Sequence, residues 1–466
     1  MLGHGCQSLV GDENGRILDR LAGLEQIIPA EAVRQAIAAT ERVNGRVSPL
    51  SHEVTLWVVL AMGLLTDMPI RQVFKHARRL RPDEASPGRS ALCQARKRLG
   101  VEPVRHLFRQ IVRPLATPAT VPTAFYRGLR LMAIDGSVLD APDTPANAAK
   151  FGRYNGGTKR GAGAFPQVRK VALVETGTHV EVAITWAGVR EHDEQTLAKT
   201  LFDRVPADAL LLLDRGFFGY DLWQKLDSRH IQRLIRVSST PTLLPIQSLS
   251  DGSYLAHIHP NFKDREKQRN SIVVRVIRYI LDDPQRIGHG EAHRLVTNLL
   301  DAELYPALEL IELYHERWEE ELVFDEQKTH LDPRRASKPT HVRSQTPAGV
   351  EQELYALSLG HFVIRALMTE AAVAANVDPD RLSFTGCFHI LKCRLPECDS
   401  RTPHTSALWL RGVLAEMARE QVEPRRNRIN PRVIKRKMSK WPKKRPHHRH
   451  PPPLTQRFAD TIVMTC

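Results

Sequence analysis

At 466 residues, 42% hydrophobic and 26% charged, the chain has the composition of a soluble globular protein with two to four domains. A formal charge of +15 and a pI near 9.7 point to a polyanionic partner, of which nucleic acid is the commonest. The charge is uneven: residues 424–449 hold twelve Lys/Arg and no acid, so everything else sums to 15 − 12 = +3. No basic-then-apolar leader opens the chain. The longest apolar run, Val54 to Leu65, falls short of the about 20 residues a bilayer needs, so no membrane segment is expected. Six scattered cysteines indicate reduced thiols in the cytoplasm rather than a disulfide framework.

Residues 1–120 read as all helical. IPAEAVRQAIAAT, HEVTLWVVLAMGLL, IRQVFKHARRL, RSALCQARKRL and EPVRHLFRQIV each place apolar residues at three-and-four spacing. Twelve Lys/Arg against three acids between Arg71 and Arg113 suit either a helix-turn-helix gripping phosphates or an ordinary helix with a basic face. After a proline-rich link the texture turns to strands: GLRLMAID, VRKVALVET, and HVEVAITW with its period of two. DEQTLAKTLFDRV predicts a helix capped by Asp193. ALLLLD reads as a strand buried on both faces, followed by the helix YDLWQKLDSR and the strand QRLIRVSST. Residues 240–297 form a β-rich insertion. A helix opened by Pro306 follows, then a long helix over TPAGVEQELYALSLGHFVIRALMTEAAVAA and further helices to about 422. The basic, proline-rich segment 423–466 is expected to be a disordered or fold-on-binding tail. Cys387, His389, Cys393 and Cys398 lack a paired CxxC and sit in a helical pattern, so zinc is disfavoured there.

The segment 301–330 is the anomaly: ten acids against Arg317 and Lys328, in a basic protein. On a helical wheel Tyr314, Arg317, Glu321 and Lys328 fall within an arc of about 60°. Glu316, Glu319, Glu320 and Glu326 lie elsewhere and read as solvated, while Asp325 competes with Glu321 for the stripe. Two further acids end strands: Asp135 closes GLRLMAID, and Asp214 closes ALLLLD. If those strands pair in parallel, the two tips become neighbours, and the motif helix can supply a third carboxylate. Such a cluster is stable only with divalent cations, and oxygen-only ligation favours Mg²⁺ or Mn²⁺. Two ions about 4 Å apart suit in-line displacement at phosphorus, one activating the attacking oxygen and the other stabilising the leaving one.

Tyr314, Arg317, Glu321 and Lys328 fit Y-x2-R-x3-E-x6-K. The chain resembles the bacterial DDE transposases of the insertion-element-four family in that motif, in IDGSVLDAPDT and LLLDRGF, and in the tail NPRVIKRKMSKWPKKR. The resemblance covers most of the chain. It implies an α/β fold: a ribonuclease-H-like catalytic core over 125–365 with the insertion at about 240–297. A helical DNA-binding domain over 1–120 would precede it, with helices over 366–422 and the basic tail after it. Asp135, Asp214 and Glu321 become the metal-binding triad for two Mg²⁺ or Mn²⁺ ions, and Arg317, Lys328 and Tyr314 the grip on DNA. The implied activity is cut-and-paste transposition by end cleavage and strand transfer. Its partners would be terminal inverted repeats and target DNA, its active form a homodimer on paired ends, and its place the bacterial nucleoid. A nuclease that cuts without joining, or a silent DNA-binding derivative, is the alternative. Asp140, Asp143 and Asn147 read as turn residues rather than support for the triad, and Arg153, Lys159 and Arg160 as phosphate contacts or solvated charge.

Overall fold

The computed structural model describes residues 18–42, 48–78, 86–154, 163–284, 289–315, 323–331, 340–398, 402–423, 443, 445–446 and 455–465. Its strands are β1 (Phe125–Tyr126), β2 (Leu129–Asp140), β3 (Gln167–Glu175), β4 (Val180–Gly188), β5 (Ala209–Leu213) and β6 (Gln232–Arg236). They continue with β7 (Pro245–Ser248), β8 (Tyr254–Ile258), β9 (Ile272–Leu281), β10 (His293–Thr297) and β11 (Ile462–Met464). The chain divides into two compact units: Met1–Phe125, Ile134–Arg204 and Glu319–Gln421 in the first, and Tyr126–Ala133, Val205–Trp318 and Val422–Cys466 in the second. β2 contributes to both, changing unit at Ala133/Ile134. The helical N-terminal region falls within the first of these units.

The reason lies in the core of the first unit. The five predicted N-terminal helices are present as Ala30–Ala38, His52–Leu64, Ile70–Ala77, Arg89–Leu99 and Glu102–Ile111. His52–Leu64 is buried all round from Val54 onward, because it packs against the long helix Pro347–Ala374. At their crossing, a Cβ on Gly63 would lie 1.9 Å from the Ala356 carbonyl oxygen, so only glycine permits the approach. Pro347–Ala374 is long and apolar enough to cross a bilayer, yet 89% of its most apolar window is buried, which makes it a core helix. β3 and β4 pair antiparallel in the same unit, and the Ala141 N–H donates to the Pro166 carbonyl, setting the end of β2 beside the start of β3.

Arg96 shows how the basic helix Arg89–Leu99 is used. Its guanidinium turns inward to Gln352 Oε1 at 3.1 Å, and to Ser344 Oγ and the Gly349 carbonyl at 3.0 Å. Arg89, Lys97 and Arg98 remain exposed. One cation of the candidate recognition helix is thus structural. Elsewhere in the first unit, burial pushes the Glu25 carboxyl up to about 7, with Arg34 opposing the shift and Glu53 adding to it. A raised acid pKa penalises the folded state only where the group must ionise. The penalty is absent below the unfolded value of 4.5 and complete above about 7. Glu25→Gln is therefore expected to raise the melting temperature at pH 8 and leave it unchanged at pH 4, as read by thermal unfolding.

In the second unit the order is β2-β5-β6-β10-β9-β8-β7. β2, β5 and β6 are parallel, in the register Arg130↔Ala209 to Ala133↔Leu212 and Leu210↔Gln232. β10 reverses against β6, and β9, β8 and β7 continue antiparallel as the predicted insertion. β5 is five apolar residues buried without exception, as its unbroken hydrophobicity requires between two neighbours. The end of the chain departs from expectation: Ile462–Met464 is no tail but a strand on β9, registered Ile462↔Leu281 to Met464↔Tyr279. β8 covers only Ile272 to Val276 of that edge of β9, so the remaining backbone donors and acceptors attract another strand. Phe458, just ahead of β11, stacks on His315 at 4.2 Å between ring centroids. The basic segment 424–442 lies outside the described residues.

Candidate active site

The sequence placed both acids at strand ends; Asp214 directly follows β5, but β2 runs on to Asp140, so Asp135 lies within its strand rather than closing it. Ala133 and Leu212 form the last registered pair of β2 and β5, and Asp135 and Asp214 each follow their own strand's member of that pair by two residues. Asp214 Oδ1 accepts the Gly216 N–H at 2.7 Å and caps the short turn Arg215–Phe217. In the first unit, Asp135 Oδ1 accepts the Gly136 N–H at 2.8 Å. Both carboxylates are half-buried, so backbone bonds fix their direction while water still reaches them.

Of the motif residues, Arg317 and Glu321 lie outside the described residues, and Tyr314 and Lys328 lie within them. Tyr314 corrects one expectation. It is 4% exposed, in a core with Leu210, Leu212, Leu310 and Ile311, and its hydroxyl donates to the Leu213 carbonyl at 3.0 Å. A ring so placed cannot stack on DNA; it ties the helix Ala307–His315 to the residue before Asp214. Tyr314→Phe keeps the ring and deletes that bond. We expect a loss of about 1 kcal/mol in urea unfolding, together with slower DNA cleavage at unchanged DNA affinity.

Past Glu321, helical residues are described from Val323 onward. Val323 and Phe324 pack on Ala172 and Val174, with Ile184 at the margin. Asp325 is exposed and engaged locally: Thr329 Oγ1 donates to it at 2.6 Å, and His330 Nε2 lies 3.4 Å away. Glu326 corrects a second expectation, for it is not solvated but 4% exposed. There the helix widens into a π-turn, Glu326–Leu331, and Lys328 within it is half-exposed.

The other candidates resolve as structure. Asn147 is fully buried and donates to the Pro142 and Ser344 carbonyls, both at 3.1 Å. Asp140 Oδ1 accepts from Gln167 at 2.9 Å, and Asp143 pairs with Arg153. Lys159 and Arg160 lie outside the described residues. Cys387, Cys393 and Cys398 are free thiols, and no group of three or more metal-ligating side chains forms among the described residues. Burial pushes the Cys387 thiol up to about 12.

Residues 126–359 match the family described as transposase DDE domain, and residues 18–109 match the insertion element 4 transposase N-terminal family. With a helical N-terminal region and a mixed α/β body, these matches define a DDE transposase, a metal-dependent enzyme that cuts DNA. The transposase InsG for insertion sequence element IS4 of Escherichia coli K12 is 29% identical over 91% of this chain and 93% of its own length. The putative transposase InsZ of the same organism is 30% identical over 44% of this chain and 67% of its own. The chain belongs to the insertion-element-four family of transposases. A piggyBac transposase synaptic complex with hairpin DNA is similar with a TM-score of 0.42 and 13% identity, covering 87% of each chain; that likeness is too loose to assign any residue.

Proposed function

We propose that this transposase moves an insertion sequence by cut-and-paste, through a ribonuclease-H-like core that holds two Mg²⁺ or Mn²⁺ ions on Asp135, Asp214 and Glu321. The observation that supports the reading is the parallel register of β2 and β5, in which Asp135 and Asp214 each lie two residues past the last shared pair. The donor set suits the ions: carboxylate oxygens only, with no thiolate or imidazole among them. When bound, such a pair of ions activates the attacking oxygen and takes up charge on the leaving one.

The protein's own groups do the positioning. The Gly136 and Gly216 N–H groups hold the two aspartates in fixed directions, and Tyr314 holds the carbonyl preceding the second. Arg317 and Lys328 would grip the phosphates beside the scissile bond. Exposed Arg89, Lys97 and Arg98 add salt-sensitive backbone affinity. Two ends must be cut and joined together, so the active form is a homodimer on paired terminal repeats, acting at the bacterial nucleoid in the cytoplasm.

The test is strand transfer. Full-length protein, Mg²⁺, a pre-cut duplex carrying the inverted repeat that brackets its gene, and a target plasmid should yield joined products. Cleavage of uncut ends without any joining would identify a nuclease instead.

A further inference from the structure

Between Glu321 and Lys328 in sequence stands a carboxylate that the family signature does not use. Glu326 Oε2 accepts from His361 Nε2 at 2.9 Å and from Arg365 Nε at 3.0 Å, while Oε1 pairs with the other arm of Arg365. His179 stands 3.5 Å from Oε1 and reaches Asp380 at 3.0 Å on its far side. His179 lies in the turn between β3 and β4 with φ +58°, a backbone region that a residue with a side chain adopts at a cost. Glu326, His179, His361 and Arg365 are all buried. Burial alone would raise the Glu326 carboxyl; Arg365, His179 and His361 outweigh it and hold it well below the usual carboxylate range.

The next residue is fastened as firmly. Gln327 Oε1 accepts from Lys170 Nζ at 2.9 Å. The same ammonium bonds Glu181 on β4 at 2.8 Å and Ser358 on the long helix at 2.9 Å. Two consecutive residues are thus locked to β3, β4 and Pro347–Ala374, at the start of the π-turn. Val323 and Phe324 already supply apolar packing on the same strands. Apolar side chains at 326 and 365 would hold the helix down with no desolvation cost. What charged, directional partners add is angular definition: each forked bond admits one rotation of the helix about its axis.

We propose that Glu326, clamped by Arg365, His361 and His179, is a positioning residue for DNA cleavage. It sets the rotation and rise of the helical segment from Val323 to Leu331, which holds Lys328 two residues on and which Glu321 precedes by five residues in sequence. The inference rests on Glu321 being a metal ligand and Lys328 a phosphate contact, and its test separates the two readings.

The decisive variant is E326L/R365M. It removes both charges at similar volume and strands no buried ion, so it is expected to fold. We expect near wild-type thermal unfolding, and terminal-repeat binding weakened by no more than the loss of the one Lys328 contact. Single-turnover cleavage should fall about a hundredfold, the scale of an ångström-sized misplacement. Mn²⁺ titrated by calorimetry into the full-length protein should bind more weakly. A folded double variant that cleaves and binds Mn²⁺ like wild type overturns the inference, because the cluster would then be packing alone. Should that variant not fold, His361→Gln, a neutral exchange that keeps a donor, decides by the same measurements. Wild-type protein that fails to cleave, or Asp135→Asn that cleaves normally, would instead remove the underlying metal-site reading.

Discussion

Asp135→Asn and Asp214→Asn are each expected to abolish end cleavage while leaving end binding intact. Asparagine keeps a side-chain oxygen that can still accept the Gly136 or Gly216 N–H, so the local backbone holds its shape. What is lost is one negative charge at a site where hard cations would gather charge from the attacking and leaving oxygens. Several kcal/mol of transition-state stabilisation correspond to about a thousandfold or more in rate. Terminal-repeat affinity, measured by gel shift in Ca²⁺ buffer, should not fall, because the surface cations that meet phosphate are untouched. A variant of either residue that cleaves at the wild-type rate would sink the triad. One that cleaves slowly but regains speed on raising Mn²⁺ would strengthen it.

Arg275→Met should be the most destabilising single change in the second unit, by about 3–5 kcal/mol. Arg275 on β9 is fully buried and pairs with Asp251. It also donates to Ser253 Oγ at 2.8 Å and to the carbonyls of Tyr305 at 2.7 Å, Leu299 at 3.2 Å and Asp301 at 3.3 Å. Asp251 in turn accepts the Ala307 N–H at 2.7 Å and so opens the helix that ends in Tyr314 and His315. Methionine fills the volume but leaves these acceptors without their donor. The urea midpoint reports the loss, and restoring part of it with Asp251→Asn in the same chain would confirm that a stranded carboxylate is the cause. An unchanged midpoint would refute the account. Burial raises the Asp251 carboxyl, but bonds from Ser253 and the charge of Arg275 more than offset this and lower it. This contribution is therefore present at neutral pH and lost only as pH falls below the ordinary value of 3.8.

Much of this was legible in the chain itself. Three-and-four spacing located all five N-terminal helices, because an amphipathic stripe is a local property that burial merely uses. Unbroken apolarity marked β5 as a central strand, and Asp193 caps its helix as expected, its Oδ1 accepting the Thr196 N–H at 2.7 Å. The spaced motif and the two candidate acids were readable as residue types, but the expectation that Asp135 closes its strand failed, because β2 continues beside β3 to Asp140.

Other features depended on partners far away in sequence. Ile462–Met464 is too short for any periodicity to register, and it is a strand only because β9 offers it an open edge. Tyr314 looked like a residue for DNA until the core around β5 enclosed it. The wheel could not distinguish a face toward water from a face toward Arg365, 39 residues on from Glu326. The sequence alone determined which residues can do the chemistry, because side-chain type and helical phase are local. Only the tertiary structure decided which charges are buried and what they hold, because desolvation and pairing are properties of the neighbours the fold brings in.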